Sequence, residues 1–151
     1  MRGLEWAAMQ YGKPISRRML PVRKGGTAAI VGAGPFGLTA ASELAKKGLS
    51  VTVFEQETNP GGSLRRAKLP QAALEKDLEL ISKTGVVFCC GEVAEVPAIL
   101  SGQYDAVLVA AGKALPDADP VTMVTPEEGI FSGGGFTSLV EAIAAGKRAA
   151  N

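Results

Sequence analysis

A chain of 151 residues with 46% apolar and 21% charged side chains has the size and balance of one globular domain that needs no disulfide or metal staple. Sixteen Lys and Arg against fifteen Asp and Glu leave a net charge of +1, which offers no broad field for nucleic acid or an acidic membrane. The absence of His removes Ser-His-Asp and Cys-His catalysis and His metal ligation, and the adjacent Cys89 and Cys90 lack zinc or iron–sulfur spacing.

In chain order, residues 3–11 place Leu4, Ala7, Ala8 and Tyr11 on one face of a short amphipathic helix. Gly12 and Pro14 end it, and a basic linker with Arg17, Arg18, Arg23 and Lys24 closes at Gly25-Gly26. TAAIV (27–31) reads as a buried parallel strand. GAGPFG (32–37) then turns into the helix LTAASELAKKG, with Leu38, Ala41, Leu44 and Ala45 facing inward. VTVF (51–54) is a second strand, and 55–70 is a loop rich in Pro, Gly and Arg. Residues 71–83 carry Leu74, Leu78 and Ile81 at helical spacing. VVFCC (86–90) is a third strand, 97–101 a helical turn, AVLVA (106–110) a fourth strand, and GIFSGG (129–134) contains a short fifth. Residues 137–150 close as a helix with Leu139, Val140, Ile143 and Ala144 inward. Strands alternating with helices imply an α/β fold, a Rossmann-like doubly wound parallel sheet of about five strands. The division expected is an N-terminal helix and linker over 1–26 and one dinucleotide-binding domain over 27–151.

No run approaches the ~18 apolar residues of a membrane span. Met1–Tyr11, broken by Glu5 and Gln10, is too short for a secretory leader. A cytoplasmic protein is expected, and two unpaired thiols suit a reducing compartment.

Chemistry concentrates at Gly32-Ala33-Gly34-Pro35-Phe36-Gly37, directly after one strand and before a helix. In this motif Gly32 makes the tight turn, Gly34 lets the backbone approach a pyrophosphate, and Gly37 lets helix and strand pack closely. The helix N-terminus adds unpaired N–H groups and partial positive charge. Glu55 ends the second strand about 20 residues on, where a carboxylate can accept hydrogen bonds from a ribose. Its replacement by Ala is expected to weaken dinucleotide binding and leave the fold intact.

Glu55 is followed by Pro60-Gly61-Gly62, then by YDAVLVAAG (104–112), GIFSGG (129–134) and SLVEAIAAGKRAA (138–150). These four marks, in this order, resemble the two-dinucleotide flavoproteins of the pyridine nucleotide–disulfide oxidoreductase superfamily. The likeness is to the glutamate synthase small-subunit and dihydropyrimidine dehydrogenase branch, and it covers about residues 28–150. Residues 1–12 resemble the last helix of the iron–sulfur domain that precedes the flavin domain there.

The resemblance implies FAD, with Gly32, Gly34, Pro35, Phe36 and Gly37 at the pyrophosphate and Glu55 at the ribose. Gly61, Gly62, Leu64 and Arg65 form the flanking turn, and Val93 meets the adenine through its backbone. Ala111, Gly112, Gly134, Gly135, Thr137 and Ser138 approach the flavin. No residue is assigned as acid, base, nucleophile or metal ligand. Arg65 either meets a phosphate or the flavin's polar edge, or is a solvated surface charge. Cys89 and Cys90 read as small apolar fillers in preference to a vicinal redox pair, and the Trp6 helix either meets a partner or packs on its own domain.

Three departures from the family pattern stand out: Gly135 in place of Asp, Ala111 in place of Thr, and a shorter loop between Arg65 and Leu69. Losing one charged hydrogen-bond partner typically costs ~1.5–3 kcal/mol. Relatives insert an NAD(P) domain where only 113–128 stands here, and no second GxGxxG exists. The expectation is an FAD-binding electron-transfer module of a multi-subunit oxidoreductase, covered by an iron–sulfur or NAD(P)-binding protein partner. The alternatives are a non-catalytic docking subunit with a degenerate dinucleotide site and a small NAD(P)-binding protein.

Overall fold

The computed structural model describes residues 26–67, 69–91, 93, 98–99, 104–136 and 138–150. The predicted N-terminal helix with Trp6, its basic linker and Thr137 lie outside these residues. Five strands, β1 (Thr27–Val31), β2 (Ser50–Glu55), β3 (Val87–Cys90), β4 (Ala106–Val109) and β5 (Ile130–Ser132), form one sheet in the order β3-β2-β1-β4-β5. Every neighbouring pair is parallel. The chain steps outward from β1 to β3 and then returns to lay β4 on the other side of β1. That reversal makes the carboxyl ends of β1 and β4 the switch point where ligands bind in such sheets.

Alternation along the strands divides the core. Ala28 and Ile30 of β1 share a face with Val51 and Val53 of β2 and Leu108 of β4, and all five are buried. Against this face lie three helices: α1 (Pro35–Lys46), α3 (Gln71–Lys83, through Leu74 and Leu78) and α4 (Leu139–Ala149). The opposite face carries Ala29, Val31, Phe54 and Val107, against which Ile99 and Tyr104 pack among the described residues. Both faces are therefore buried, which explains the near-continuous apolar strands. Of the predicted turn at 97–101, residues 98–99 are described and helical.

Three details differ from the sequence reading. The first helix begins at Pro35 rather than Leu38: proline lacks the N–H that a first-turn residue would leave unpaired, so it starts the helix without cost. The 55–70 segment is not all loop, because α2 (Ser63–Arg66) forms one helical turn directly after the two glycines. Of the residues predicted inward on α4, Ala144 is exposed and Ile143 half-buried, while Ala142, Ala145 and Gly146 are buried; the side chains of Leu139 and Val140 lie outside those described. Close approach to α1 selects the small residues. A Cβ on Gly146 would stand 2.7 Å from the Phe36 carbonyl oxygen and 2.7 Å from Thr39 Cβ, so only glycine lets the helices meet.

Candidate dinucleotide site

The loop after β1 is held by its own backbone. Gly32 N–H donates to the Phe54 carbonyl at 2.8 Å. Gly32 has φ +110°, and a Cβ there would run into the Ala110 carbonyl; a Cβ on Gly37 would run into the Gly32 carbonyl. These two glycines are required by packing alone. Gly34 is different: its φ of −79° suits any residue, and a Cβ would meet nothing within 4 Å. Nothing in the described fold demands glycine there, and the open space over its Cα is where a ligand backbone would lie.

Gly34 is also the N-cap of α1 and contributes no side-chain cap, with Pro35 following at N1. The first-turn amides thus keep their partial positive charge for an outside acceptor.

Glu55 is buried at 7% exposure and works inside the fold. Its Oε2 accepts from Ala33 N–H at 2.8 Å and its Oε1 from Glu57 N–H at 3.0 Å. Gly61 N–H donates to the Ala33 carbonyl at 2.8 Å, so Ala33 is clamped from both sides. Gly62, at φ +51°, comes so near Gly34 that its Cβ would lie 3.1 Å from Gly34 Cα. The glycine loop, the end of β2 and the Gly61-Gly62 turn form one hydrogen-bonded cradle around the exposed surface of Gly34. Glu55→Ala therefore also carries a cost in stability that its spacing does not reveal, because removing the carboxylate strands the buried Ala33 N–H.

Arg65 is committed to this scaffold. Its Nε donates to the Pro60 carbonyl at 2.6 Å and its guanidinium pairs with Glu75 at 2.9 Å, which fixes the turn from outside. Leu64 is buried in the core. Cys90, which reads in the sequence as a small apolar filler, sits opposite Glu55 in the β2–β3 register. Burial pushes its thiol above the ordinary cysteine value, and the negative charge of Glu55 adds to the effect. Val93 is 78% exposed.

At the other end, Gly135 N–H donates to the Gly112 carbonyl at 2.9 Å, tying the turn after β4 to that after β5. Gly112 and Gly135 have φ +91° and +72°, with open space at each Cβ position. Gly134 has no such room, since the backbone of Lys113 and Ala114 lies 2.7 Å from its Cβ position. Ala111 is exposed. Ser138 caps α4, its Oγ accepting from Glu141 N–H at 3.1 Å. Phe36 and Phe136 meet with ring centroids 5.0 Å apart, joining the two ends. Glycines and helix termini thus line both ends, and the buried carboxylate of Glu55 lies at the β1–β2 end. Among the described residues no group of His, Cys, Asp or Glu could hold a metal, and no helix is long and apolar enough to cross a membrane.

These features define a Rossmann-like α/β domain with a dinucleotide-type glycine loop at its switch point. Residues 30–86 match the family model described as an NAD(P)-binding Rossmann-like domain. The chain is 40% identical over 94 residues to the NAD-dependent dihydropyrimidine dehydrogenase subunit PreT of Escherichia coli (strain K12), an alignment spanning 58% of this chain and 23% of that protein. It is 35% identical over 105 residues to the glutamate synthase [NADPH] small chain of Bacillus subtilis (strain 168), covering 65% of this chain and 21% of that one. THI4 of Thermovibrio ammonificans shares the fold, with a TM-score of 0.58 at 16% identity over 83% of this chain and 87% of its own. Over this domain the chain resembles the glutamate synthase small-subunit and dihydropyrimidine dehydrogenase branch of the pyridine nucleotide–disulfide oxidoreductases. It spans less than a quarter of the length of those two curated relatives.

Proposed function

We propose that this chain is an FAD-binding electron-transfer module of an oxidoreductase that acts with a protein partner. The observation that carries the reading is the open surface over Gly34, framed by the buried Glu55, which two backbone N–H groups hold in place, and the Gly61-Gly62 turn. A fold that needed only a turn would not require glycine at that position. The cradle suits the ADP half of a dinucleotide: Gly34 and the α1 amides face the phosphates, and Glu55 has lone pairs left for a ribose hydroxyl. Ala111, Gly112, Gly134, Gly135, Thr137 and Ser138 lie on the segments that would flank the flavin. Bound FAD supplies the redox centre, and the protein supplies binding and orientation. An iron–sulfur or NAD(P)-binding subunit would cover the exposed Ala111–Gly112 and Gly135 end and exclude water from it.

A second reading, NAD(P) in the same cradle, draws support from the description of the matching family model. The absorbance spectrum of protein purified from its host, with the heat-released cofactor identified by chromatography, separates the two. A yellow protein releasing FAD is expected, and one that is colourless and stays so with added FAD overturns the flavin assignment.

A further inference from the structure

The connection from β4 to β5 has a character unlike the rest of the surface. Residues 113–128 carry one Lys and four carboxylates, a net −3 in a chain of net +1. Six large apolar side chains are exposed among the described residues, and three are here: Leu115 at 40%, Val121 at 71% and Val124 at 50%. The backbone beneath them is anchored. Met123 is buried, Ser132 N–H donates to its carbonyl at 2.8 Å, Leu115 N–H donates to Ser132 Oγ at 2.9 Å, and Val124 pairs with Phe131. Asp119 is spent on this framework, accepting from Val121 and Thr122 N–H at 2.8 and 2.7 Å. An anchored acidic connection that exposes three large apolar side chains suits a cationic, partly apolar cover.

We propose that the occupant is the N-terminal segment of this same chain, residues 1–25. Its composition is complementary: six Lys and Arg against one Glu, a net +5, interleaved with Leu4, Trp6, Ile15, Met19, Leu20 and Val22. Its tether is in place as well. The Cβ positions of Gly26, where the segment joins the sheet, and Gly129, directly after Glu127 and Glu128, lie 2.6 Å and 3.3 Å from atoms of Asp105. The basic linker therefore leaves the sheet at the end where the acidic connection arrives. Twenty-five residues reach up to ~80 Å when extended, far beyond a four-residue strand, so length does not limit contact. Tethering raises the effective concentration of the segment, which lets modest ion pairs and apolar contacts hold it.

Limited trypsin cleavage of the full chain tests this, because Arg17, Arg18, Arg23 and Lys24 are its substrates within the segment. Docking predicts slow cleavage there in low salt and faster cleavage in 1 M salt, where charges are screened within about 3 Å. Asp117→Lys, Glu127→Lys and Glu128→Lys together should accelerate cleavage about tenfold, the combined scale of three exposed ion pairs. Adding Arg17→Glu and Arg18→Glu to that variant should restore protection at Arg23 and Lys24, which a merely damaged fold would not do. Wild-type cleavage insensitive to salt, or charge reversal without acceleration or rescue, overturns the proposal. So does protection that grows with protein concentration alongside a dimer mass, which would make a second copy the occupant, or protection appearing only with another protein.

Discussion

Replacing Gly34 by Ala separates the two reasons a glycine can be required. The added Cβ meets no atom within 4 Å, and the backbone there, at φ −79° and ψ −178°, is open to alanine. Removing a glycine from the unfolded chain stabilises by about 0.4–1 kcal/mol, while alanine is a poorer N-cap than glycine by a similar amount. The two offset, so the melting temperature should move by no more than ~4 °C for a domain of this size. Binding should respond quite differently, because the methyl group stands in the space a pyrophosphate would fill. A loss of at least about tenfold in affinity for FAD, or ~1.4 kcal/mol, is expected by calorimetric titration of a variant whose unfolding curve matches wild type. Unchanged affinity would remove the dinucleotide from this cradle. A large fall in melting temperature would instead show that Gly34 serves the fold.

The other sites are tested by opposite patterns. Glu55→Ala should destabilise the domain by ~1–3 kcal/mol in chemical denaturation, the cost of a buried donor left unpaired at Ala33; unchanged stability would mean that the Ala33 contact is dispensable. Gly146→Ala should cost ~1–3 kcal/mol, because its Cβ lands 2.7 Å from the Phe36 carbonyl and Thr39, and a neutral result would refute the close α1–α4 contact. The Thr122 and Val121 N–H groups hold the Asp119 carboxyl below the ordinary aspartate value. A carboxylate with a depressed folded pKa contributes stability above its unfolded pKa of about 3.9 and loses it as pH falls through the lower folded value. The amides of Val121 and Thr122 should therefore exchange faster only in that acidic window, and a carboxyl titration midpoint at or above the free value would contradict the geometry.

Much of the fold was legible because its signals are local. Apolar runs marked all five strands, and GAGPFG, Glu55 and the Gly-Gly turn marked the loop where the chain reverses. What escaped depends on distant partners. Ile143 and Ala144 read as inward residues of α4, yet close approach to α1 buries Ala142, Ala145 and Gly146 instead of these two. The single turn of α2 is too short to carry a period. Glu55 reads as a ligand group alone, because nothing in its spacing reveals that Ala33 and Glu57 donate to it. Arg65 likewise shows its bonds to Pro60 and Glu75 only once the turn is folded.

The central claim is that the Gly34 cradle takes a flavin dinucleotide, and the measurement that reaches it most directly is calorimetric titration of the intact chain with FAD, NAD+ and NADP+ in parallel. The account predicts one FAD bound per chain, more tightly than either nicotinamide dinucleotide. Tighter binding of NAD+ or NADP+, or no binding of any of the three, would contradict it.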